Sequence, residues 1–145
     1  NRFYFDELTV LDLFAGTGNI SYEFASRGAT DITAVDAHAG CVAYIAKTAR
    51  EMDMEITPIK SDVFKYLKKV SSKSDIIFAD PPYGISIEEF TSIPASVFEN
   101  GLLHPEGLLI IEHSEQTDLS ALPYFSNKRK YGSSIFSFFE VENAN

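Results

Sequence analysis

The tetrapeptide Asp80-Pro81-Pro82-Tyr83 carries the residue types in this chain that are most suited to chemistry. It follows the apolar run Ile76–Ala79, so it stands where a buried strand should end. Proline lacks a backbone N–H and fixes φ at about −65°, so the pair predicts a stiff loop that is neither strand nor helix. A carboxylate beside a ring suits a flat, amino-bearing heterocycle, which would stack on the ring and donate to the oxygens. Taken alone, the tetrapeptide is equally consistent with a proline turn and a surface tyrosine.

A second motif lies near the start of the chain, where an apolar run leads into two closely spaced glycines and then a helical pattern. Gly16 and Gly18 permit a tight turn and let a ligand approach the backbone. The third glycine of the dinucleotide fingerprint is absent because Ser21 stands there, and the full fingerprint cradles a pyrophosphate. S-adenosylmethionine has no pyrophosphate, and an acidic strand end would suit its cationic sulfonium. The predicted cofactor-binding residues here are Asp12, Phe14, Ala15, Gly16, Thr17 and Gly18.

Two further acidic residues follow predicted strands. Asp36 comes eighteen residues after Gly18, where a carboxylate can accept both hydroxyls of a ribose. Asp62 follows the next strand and is expected to accept from an adenine amino group. Each aspartate taken alone is also explained as a helix N-cap, a position that favours this residue. Together with Asp80 the set predicts an adenosine site next to an amine site.

Strands and helices alternate along the chain and predict the scaffold that positions these residues. The predicted strands are Val10–Phe14, Ile32–Asp36, Ile56–Lys60, Asp75–Ala79, Leu108–His113, Phe125–Tyr131 and Ser134–Val141. The predicted helices are Asn19–Ser26, Ala39–Glu51 and Val63–Val70, with another before Gly101. Such alternation predicts an α/β fold with a parallel sheet, right-handed crossovers and helices on both faces. The last two strands, joined by Gly132-Ser133, predict a closing antiparallel hairpin.

The composition limits the class of protein. A chain of 145 residues with 45% hydrophobic residues suits a single domain over residues 1–145. Its net charge of −9 argues against this chain gripping a phosphate backbone unaided. The candidate basic segments are Lys128-Arg129-Lys130 and the group Lys65, Lys68 and Lys69.

The single cysteine and the three histidines argue against disulfide and metal frameworks. Cys41 has no partner for an internal disulfide, and its apolar helical surroundings predict a small core residue. His38, His104 and His113 are scattered and show no paired ligand spacing, so no metal is expected. No apolar run approaches the ~18 residues that a membrane span needs, and we expect a cytoplasmic protein without membrane association.

Four stretches of the chain together resemble a known family. They are Leu11–Gly18, Ser26–Ala29, the Asp80–Tyr83 tetrapeptide and Lys130–Gly132. In this order they are similar to the bacterial 16S rRNA guanine-N2 methyltransferases (small-subunit methyltransferase D), over Val10–Phe139. The resemblance implies the Rossmann-like class I methyltransferase sandwich, with a seven-stranded, mostly parallel sheet. It further implies S-adenosyl-L-methionine as methyl donor, S-adenosyl-L-homocysteine as product, and 16S rRNA or the small ribosomal subunit as partner. The oligomeric state stays open at this point, and a monomer is expected.

The resemblance also implies roles for individual residues. The catalytic residues would be Asp80, Pro81, Pro82 and Tyr83, with the Asp80 carboxylate and the Pro81 carbonyl accepting the amine protons. Tyr83 would stack on the base. The family carries a basic N-terminal segment with an Arg-Pro-Thr signature that nothing here matches. Because the chain begins at Asn1 rather than Met, we expect such a segment to be missing.

Three other functions stay open at this point. A DNA adenine or cytosine amino-methyltransferase would use the same tetrapeptide, but it normally has a target-recognition domain that so short a chain lacks. A glutamine methyltransferase acting on release factors usually has Asn in the place of Asp80. A non-catalytic, NAD-binding Rossmann protein is disfavoured by the missing third glycine and by the Asp-Pro-Pro-Tyr loop.

Overall fold

The computed structural model describes residues 4–141, which form one seven-stranded sheet flanked by helices. The strands are β1 (Thr9–Leu13), β2 (Asp31–Asp36), β3 (Ile56–Lys60), β4 (Ser74–Ala79), β5 (Leu103–Ser114), β6 (Phe125–Tyr131) and β7 (Ser134–Phe139). The helices are α1 (Asn19–Ser26), α2 (Ala39–Glu51), α3 (Val63–Lys69) and α4 (Ile87–Glu99), and a 3₁₀ turn at Phe5–Glu7 precedes β1.

The strand order is β3-β2-β1-β4-β5-β7-β6. The first five strands are parallel, whereas β7 lies antiparallel between β5 and β6. This confirms the predicted mostly parallel sheet with a C-terminal antiparallel hairpin. The chain winds outward in both directions from β1 and β4, so their carboxyl ends form a topological switch point. Open α/β sheets bind ligands at such points.

Two apolar clusters hold the sheet between its helices. Along β1 successive side chains point to opposite faces, so Leu13 joins one cluster and Val10 the other. The first cluster packs α3 and α4 onto the sheet through Leu67 and Ile93, and the second packs α2 through Ile45. All five side chains are at most 1% exposed. The core beneath the carboxyl ends of the strands is therefore densely packed.

Most predicted element bounds agree within two residues, β7 for example ending at Phe139 rather than Val141, and two larger differences stand out. β5 begins at Leu103 rather than Leu108, because a register shift opposite β4 loops out residues that include Pro105 and Glu106, the latter at φ +71°. The prediction used runs of apolar residues, and a proline and a left-handed residue interrupt such a run here, so the first part of β5 was not predicted. Cys41 is only half-buried in α2, so its prediction as a core residue was wrong.

Within residues 4–141 no helix is long and apolar enough to cross a membrane. The same part of the chain holds no group of three or more His, Cys, Asp or Glu side chains placed to bind a metal ion.

Candidate active site

The turn between β1 and α1 has a backbone that favours glycine. Gly16 and Gly18 have φ of +60° and +93°, in the left-handed region that other residues rarely adopt. The turn begins at Phe14, which has φ +58° and packs edge-on against Phe64 with 5.7 Å between ring centroids. A Cβ built on Gly16 would meet nothing within 4 Å, so the space beside the turn is open to a ligand.

Asp36 at the end of β2 braces this turn. Its Oδ2 accepts from the backbone N–H of Gly16 at 2.8 Å, and its Oδ1 accepts from that of His38 at 2.9 Å. The backbone N–H of Ala15 donates to the Val35 carbonyl at 3.0 Å and adds a second link between turn and strand. A carboxylate has about four acceptor sites, so Asp36 can still accept from hydroxyls. The structure thus brings Asp36 beside the glycine turn, with Thr17 exposed at the tip of the turn.

Asp12 lies one residue before the end of β1 rather than at its tip, and it is only 2% exposed. Its Oδ2 accepts from Ser21 Oγ at 2.7 Å. Burial raises the pKa of Asp12 to about 6, opposed in part by the hydrogen bonds from Ser21. The residue that replaces the third fingerprint glycine therefore ties the start of α1 to β1, and a direct role for Asp12 toward a cofactor stays a prediction.

Asp62 is the N-cap of α3. Its Oδ1 accepts from the backbone N–H of Lys65 at 2.9 Å, as the capping alternative predicts. The backbone N–H of Ser61 donates to the Asp36 carbonyl at 3.0 Å, which places the exposed Asp62 beside the end of β2. Capping and ligand binding are compatible uses of one carboxylate, and the adenine contact stays a prediction.

The proline-rich loop stands at the end of β4, beside the glycine turn. Leu13 of β1 pairs with Ala79 of β4, and the backbone N–H of Asp80 donates to the Leu13 carbonyl at 3.4 Å. The loop has neither strand nor helix structure, as its prolines predicted. Pro81 is buried, whereas Tyr83 is 99% exposed. The tyrosine ring is therefore presented to solvent at the same edge as Asp80.

An open cleft of about 580 Å³ begins at this loop. Partial withdrawal of the Asp80 carboxyl from water, and then the nearby negative charge of Glu112, raise the pKa of Asp80 to about 6. A raised carboxyl pKa within a cleft is a common mark of functional sites. The lining residues are Asp80, Pro81, Pro82, Tyr83, Gly84, Ile85, Phe90, Glu112, His113, Ser114, Gln116, Thr117, Ser133 and Ser134.

Two of these residues, Glu112 and His113, were not predicted as parts of the site. They stand near the carboxyl end of β5, next to β4, so the reasoning applied to the other acidic strand ends would have found Glu112. His113 was considered only as a metal ligand. Its Nδ1 lies 2.9 Å from the Ser114 carbonyl oxygen and its Nε2 lies 2.7 Å from Ser137 Oγ.

The protein family described as "Conserved hypothetical protein 95" matches residues 2–140. The ribosomal RNA small subunit methyltransferase D of Buchnera aphidicola subsp. Baizongia pistaciae is 28% identical over 103 residues, which is 70% of this chain and 52% of that protein. A Methanocaldococcus jannaschii protein, provisionally named a protein N5-glutamine methyltransferase, is 35% identical over 74 residues, or 51% of this chain and 36% of that protein. The chain thus spans about half or less of these curated relatives.

Two solved structures share the fold. A provisionally named methyltransferase from Escherichia coli superposes with a TM-score of 0.83 at 20% identity, over 94% of this chain and 79% of that one. A 16S rRNA N2 methyltransferase from Thermus thermophilus, in complex with AdoMet and guanosine, gives 0.71 at 22% identity, over 94% and 38%. These likenesses show that the fold is that of the class I methyltransferases.

Proposed function

The chain belongs to the conserved hypothetical protein 95 family, and we propose that it methylates the exocyclic N2 amine of a guanine in 16S rRNA, using S-adenosylmethionine. One observation carries the proposal: the glycine turn after β1 and the Asp80 loop after β4 stand at adjacent strand ends. A methyl donor held at the first would therefore lie next to an acceptor held at the second. The curated relatives named for rRNA methylation support the substrate class.

The residues around the glycine turn fit the cofactor. The space beside Gly16 would let the ligand approach the backbone, and the Asp36 carboxylate, which already accepts from the Gly16 N–H, would accept ribose hydroxyls. Asp62, exposed at the end of β3, would accept from the adenine amino group. The bound cofactor supplies an electrophilic methyl group on a sulfonium. The protein's task is then to hold the acceptor amine in line with that methyl.

Asp80 would make the amine a better nucleophile. The lone pair of an exocyclic amine is delocalised into the ring, and N–H donation to the Asp80 carboxylate and the Pro81 carbonyl favours a tetrahedral nitrogen. The same carboxylate stabilises the positive charge that grows on nitrogen as the methyl arrives. The methylated nitrogen then releases a proton readily, so no strong base is required. The exposed Tyr83 ring would stack on the base, a contact worth about 1–3 kcal/mol in nucleic-acid sites.

Labelled methyl transfer from S-adenosylmethionine tests the proposal. The acceptors, assayed in parallel, are undermethylated small ribosomal subunits, protein-free 16S rRNA, duplex DNA and a release factor. We expect label on guanine N2 of the rRNA, and none after Asp80→Ala. Label on the glutamine of the release factor would favour the activity in the name of the archaeal relative. A protein that binds S-adenosylhomocysteine but labels no RNA would refute the proposed substrate.

A further inference from the structure

The carboxylate of Glu112 faces the same cleft as Asp80 from the neighbouring strand. Ala79 of β4 pairs with Ile111 of β5, so the two residues that follow, Asp80 and Glu112, stand side by side at the carboxyl edge of the sheet. Both line the cleft, and the negative charge of Glu112 contributes to the raised pKa of Asp80. Two acceptors therefore meet whatever ring enters beside Tyr83.

Glu112 is the acidic residue that β5 contributes to the cleft. In the neutral ring of His113, Nδ1 carries the proton because its neighbour, the Ser114 carbonyl, can only accept. Nε2 then accepts from the Ser137 hydroxyl, so both nitrogens are engaged. Among residues 4–141 no hydrogen bond or ion pair occupies the half-buried Glu112 carboxylate. Its acceptor sites are free for a donor from outside.

The edges of the nucleobases differ at the atom beside the exocyclic amine. In guanine the N2 amine is next to N1–H, a second donor. In adenine the N6 amine is next to unprotonated N1, and in cytosine the N4 amine is next to unprotonated N3. Suppose that Asp80 accepts from the amine and that a second carboxylate lies at the neighbouring ring nitrogen. Guanine then donates its N1–H to that carboxylate, whereas adenine and cytosine face it with a lone pair, which repels it.

We propose that Glu112 is the residue that selects guanine, by accepting the N1–H proton next to the amine held by Asp80. The inference rests on the proposed methyl transfer to guanine N2 and names the group that reads the base. It uses both attraction and rejection, since the same carboxylate that pairs with guanine repels adenine and cytosine. Two polarised N–H groups would also relieve the repulsion between the two carboxylates.

The test uses 2-aminopurine, which keeps the amine of guanine at C2 but has no proton on N1. The guanine that the protein methylates is first mapped, and RNAs with guanine or 2-aminopurine at that position are then compared. We expect the wild-type protein to prefer guanine by about 100-fold or more, because a site built for a hydrogen bond rejects an analogue that cannot make it. In Glu112→Gln the amide can donate to N1, so the preference should shrink to about tenfold or less.

Controls separate selection from structural damage. Glu55→Gln removes an exposed charge in the segment before β3 and should keep the wild-type preference. Glu112→Gln should retain the binding of S-adenosylhomocysteine and the thermal midpoint of the wild type. An unchanged guanine preference in this variant would overturn the role of Glu112 while leaving the proposed function intact. Failure of the wild-type protein to methylate any RNA guanine would instead remove the proposed function, and the selection of guanine with it.

A second measurement needs no mapped site. In ligand-observed NMR titrations with S-adenosylhomocysteine present, guanosine should bind the wild-type protein more tightly than 2-aminopurine riboside does. Glu112→Gln should narrow this difference. Equal binding of the two nucleosides to the wild-type protein would contradict a role for Glu112 in reading N1–H.

Discussion

At the scale of single residues, four acidic side chains at one sheet edge have different environments and therefore different tasks. Asp12 is buried and holds α1 through Ser21, whereas Asp36 braces the glycine turn from outside. Asp62 caps α3, and Asp80 stands over the cleft. Residue type alone marked all four as candidates. Hydrogen bonds engage the first three with the backbone or with Ser21, whereas Asp80 lines the cleft.

Substitution of Asp80 and Asp36 should separate these tasks. Asp80→Ala should lose methyl transfer by at least about 100-fold with little change in cofactor affinity, because the side chain faces the cleft. Asp36→Ala should weaken cofactor binding by about tenfold or more, since it removes the acceptor that holds the Gly16 N–H. Calorimetric titration with S-adenosylhomocysteine and single-turnover transfer measure the two effects. Equal loss of cofactor affinity in both variants would contradict the division.

The pH dependence of transfer follows from the same carboxyl. The pKa of Asp80 is raised to about 6 by partial burial and by Glu112, so the carboxylate acceptor is lost on protonation below that pH. We expect the single-turnover rate at saturating substrate to be level above pH 7 and to fall about tenfold per pH unit well below 6. Glu112→Gln removes a like charge and should shift the midpoint to lower pH. A rate that stays level down to pH 5 would show that ionised Asp80 is not required.

At the scale of elements, alternation of apolar runs and turns was sufficient to predict the seven strands and the closing hairpin. Glycine and proline residues also located the turn after β1 and the Asp80–Tyr83 loop after β4. The bounds failed where the backbone departs from regular pairing, as at Pro105 and Glu106 before the buried part of β5. Glu112 was missed because the search for acidic strand ends stopped at β4, and its position beside Asp80 follows only from the register between β4 and β5. Ser21 likewise gained meaning only once its contact with Asp12 was known.

Gly18 is a position in the turn between β1 and α1 where no larger side chain fits without movement of its neighbours. It has φ +93°, and a Cβ there would lie 2.8 Å from the Tyr22 ring and 3.0 Å from Ile45. Gly18→Ala should therefore displace the start of α1, destabilise the fold by about 2 kcal/mol or more, and weaken cofactor binding. Gly101→Ala is the matched control, because it has φ +63° but only the end of the Lys73 side chain nearby, at 3.5 Å.

Denaturant unfolding and cofactor titration compare the two glycine variants. Gly101→Ala should lose about 1 kcal/mol from the left-handed backbone alone and keep wild-type cofactor affinity. If Gly18→Ala is no less stable than this control and binds S-adenosylhomocysteine normally, then close packing at the turn does not position the cofactor.

At the scale of the whole molecule, a net charge of −9 opposes binding to RNA, so the distribution of the positive charges matters. An exposed run of basic residues lies on β6, one of the two edge strands of the sheet: Lys128, Arg129 and Lys130. The turn that follows β6 leads into Ser133 and Ser134, which line the cleft. A run of basic side chains therefore lies on a strand that leads to the cleft, with Lys130 ion-paired to Glu115 at 3.1 Å. Lys68 and Lys69 lie in the last turn of α3, away from the carboxyl edge where that helix begins.

Neutralising the basic strand should weaken RNA binding without affecting the cofactor. Replacing Lys128, Arg129 and Lys130 by Gln removes contacts to phosphates, so affinity should fall on the order of tenfold and the salt slope by about 2. The loss should be similar for any single-stranded sequence, because phosphate contacts carry no sequence information. Fluorescence anisotropy across a range of salt concentrations measures both quantities.

The matched control removes the same charge elsewhere. Replacing Lys68, Lys69 and Lys73 by Gln lowers the net charge by the same three units. These residues lie at the end of α3 and just before β4, at the edge of the sheet opposite the cleft. If the overall field governs RNA binding, the two triple variants should lose affinity equally. If local contacts along β6 govern RNA binding, only the variant with Lys128, Arg129 and Lys130 replaced should show the reduced salt slope. We expect the second result, since charges separated by more than about 10 Å are largely screened at 0.1 M salt.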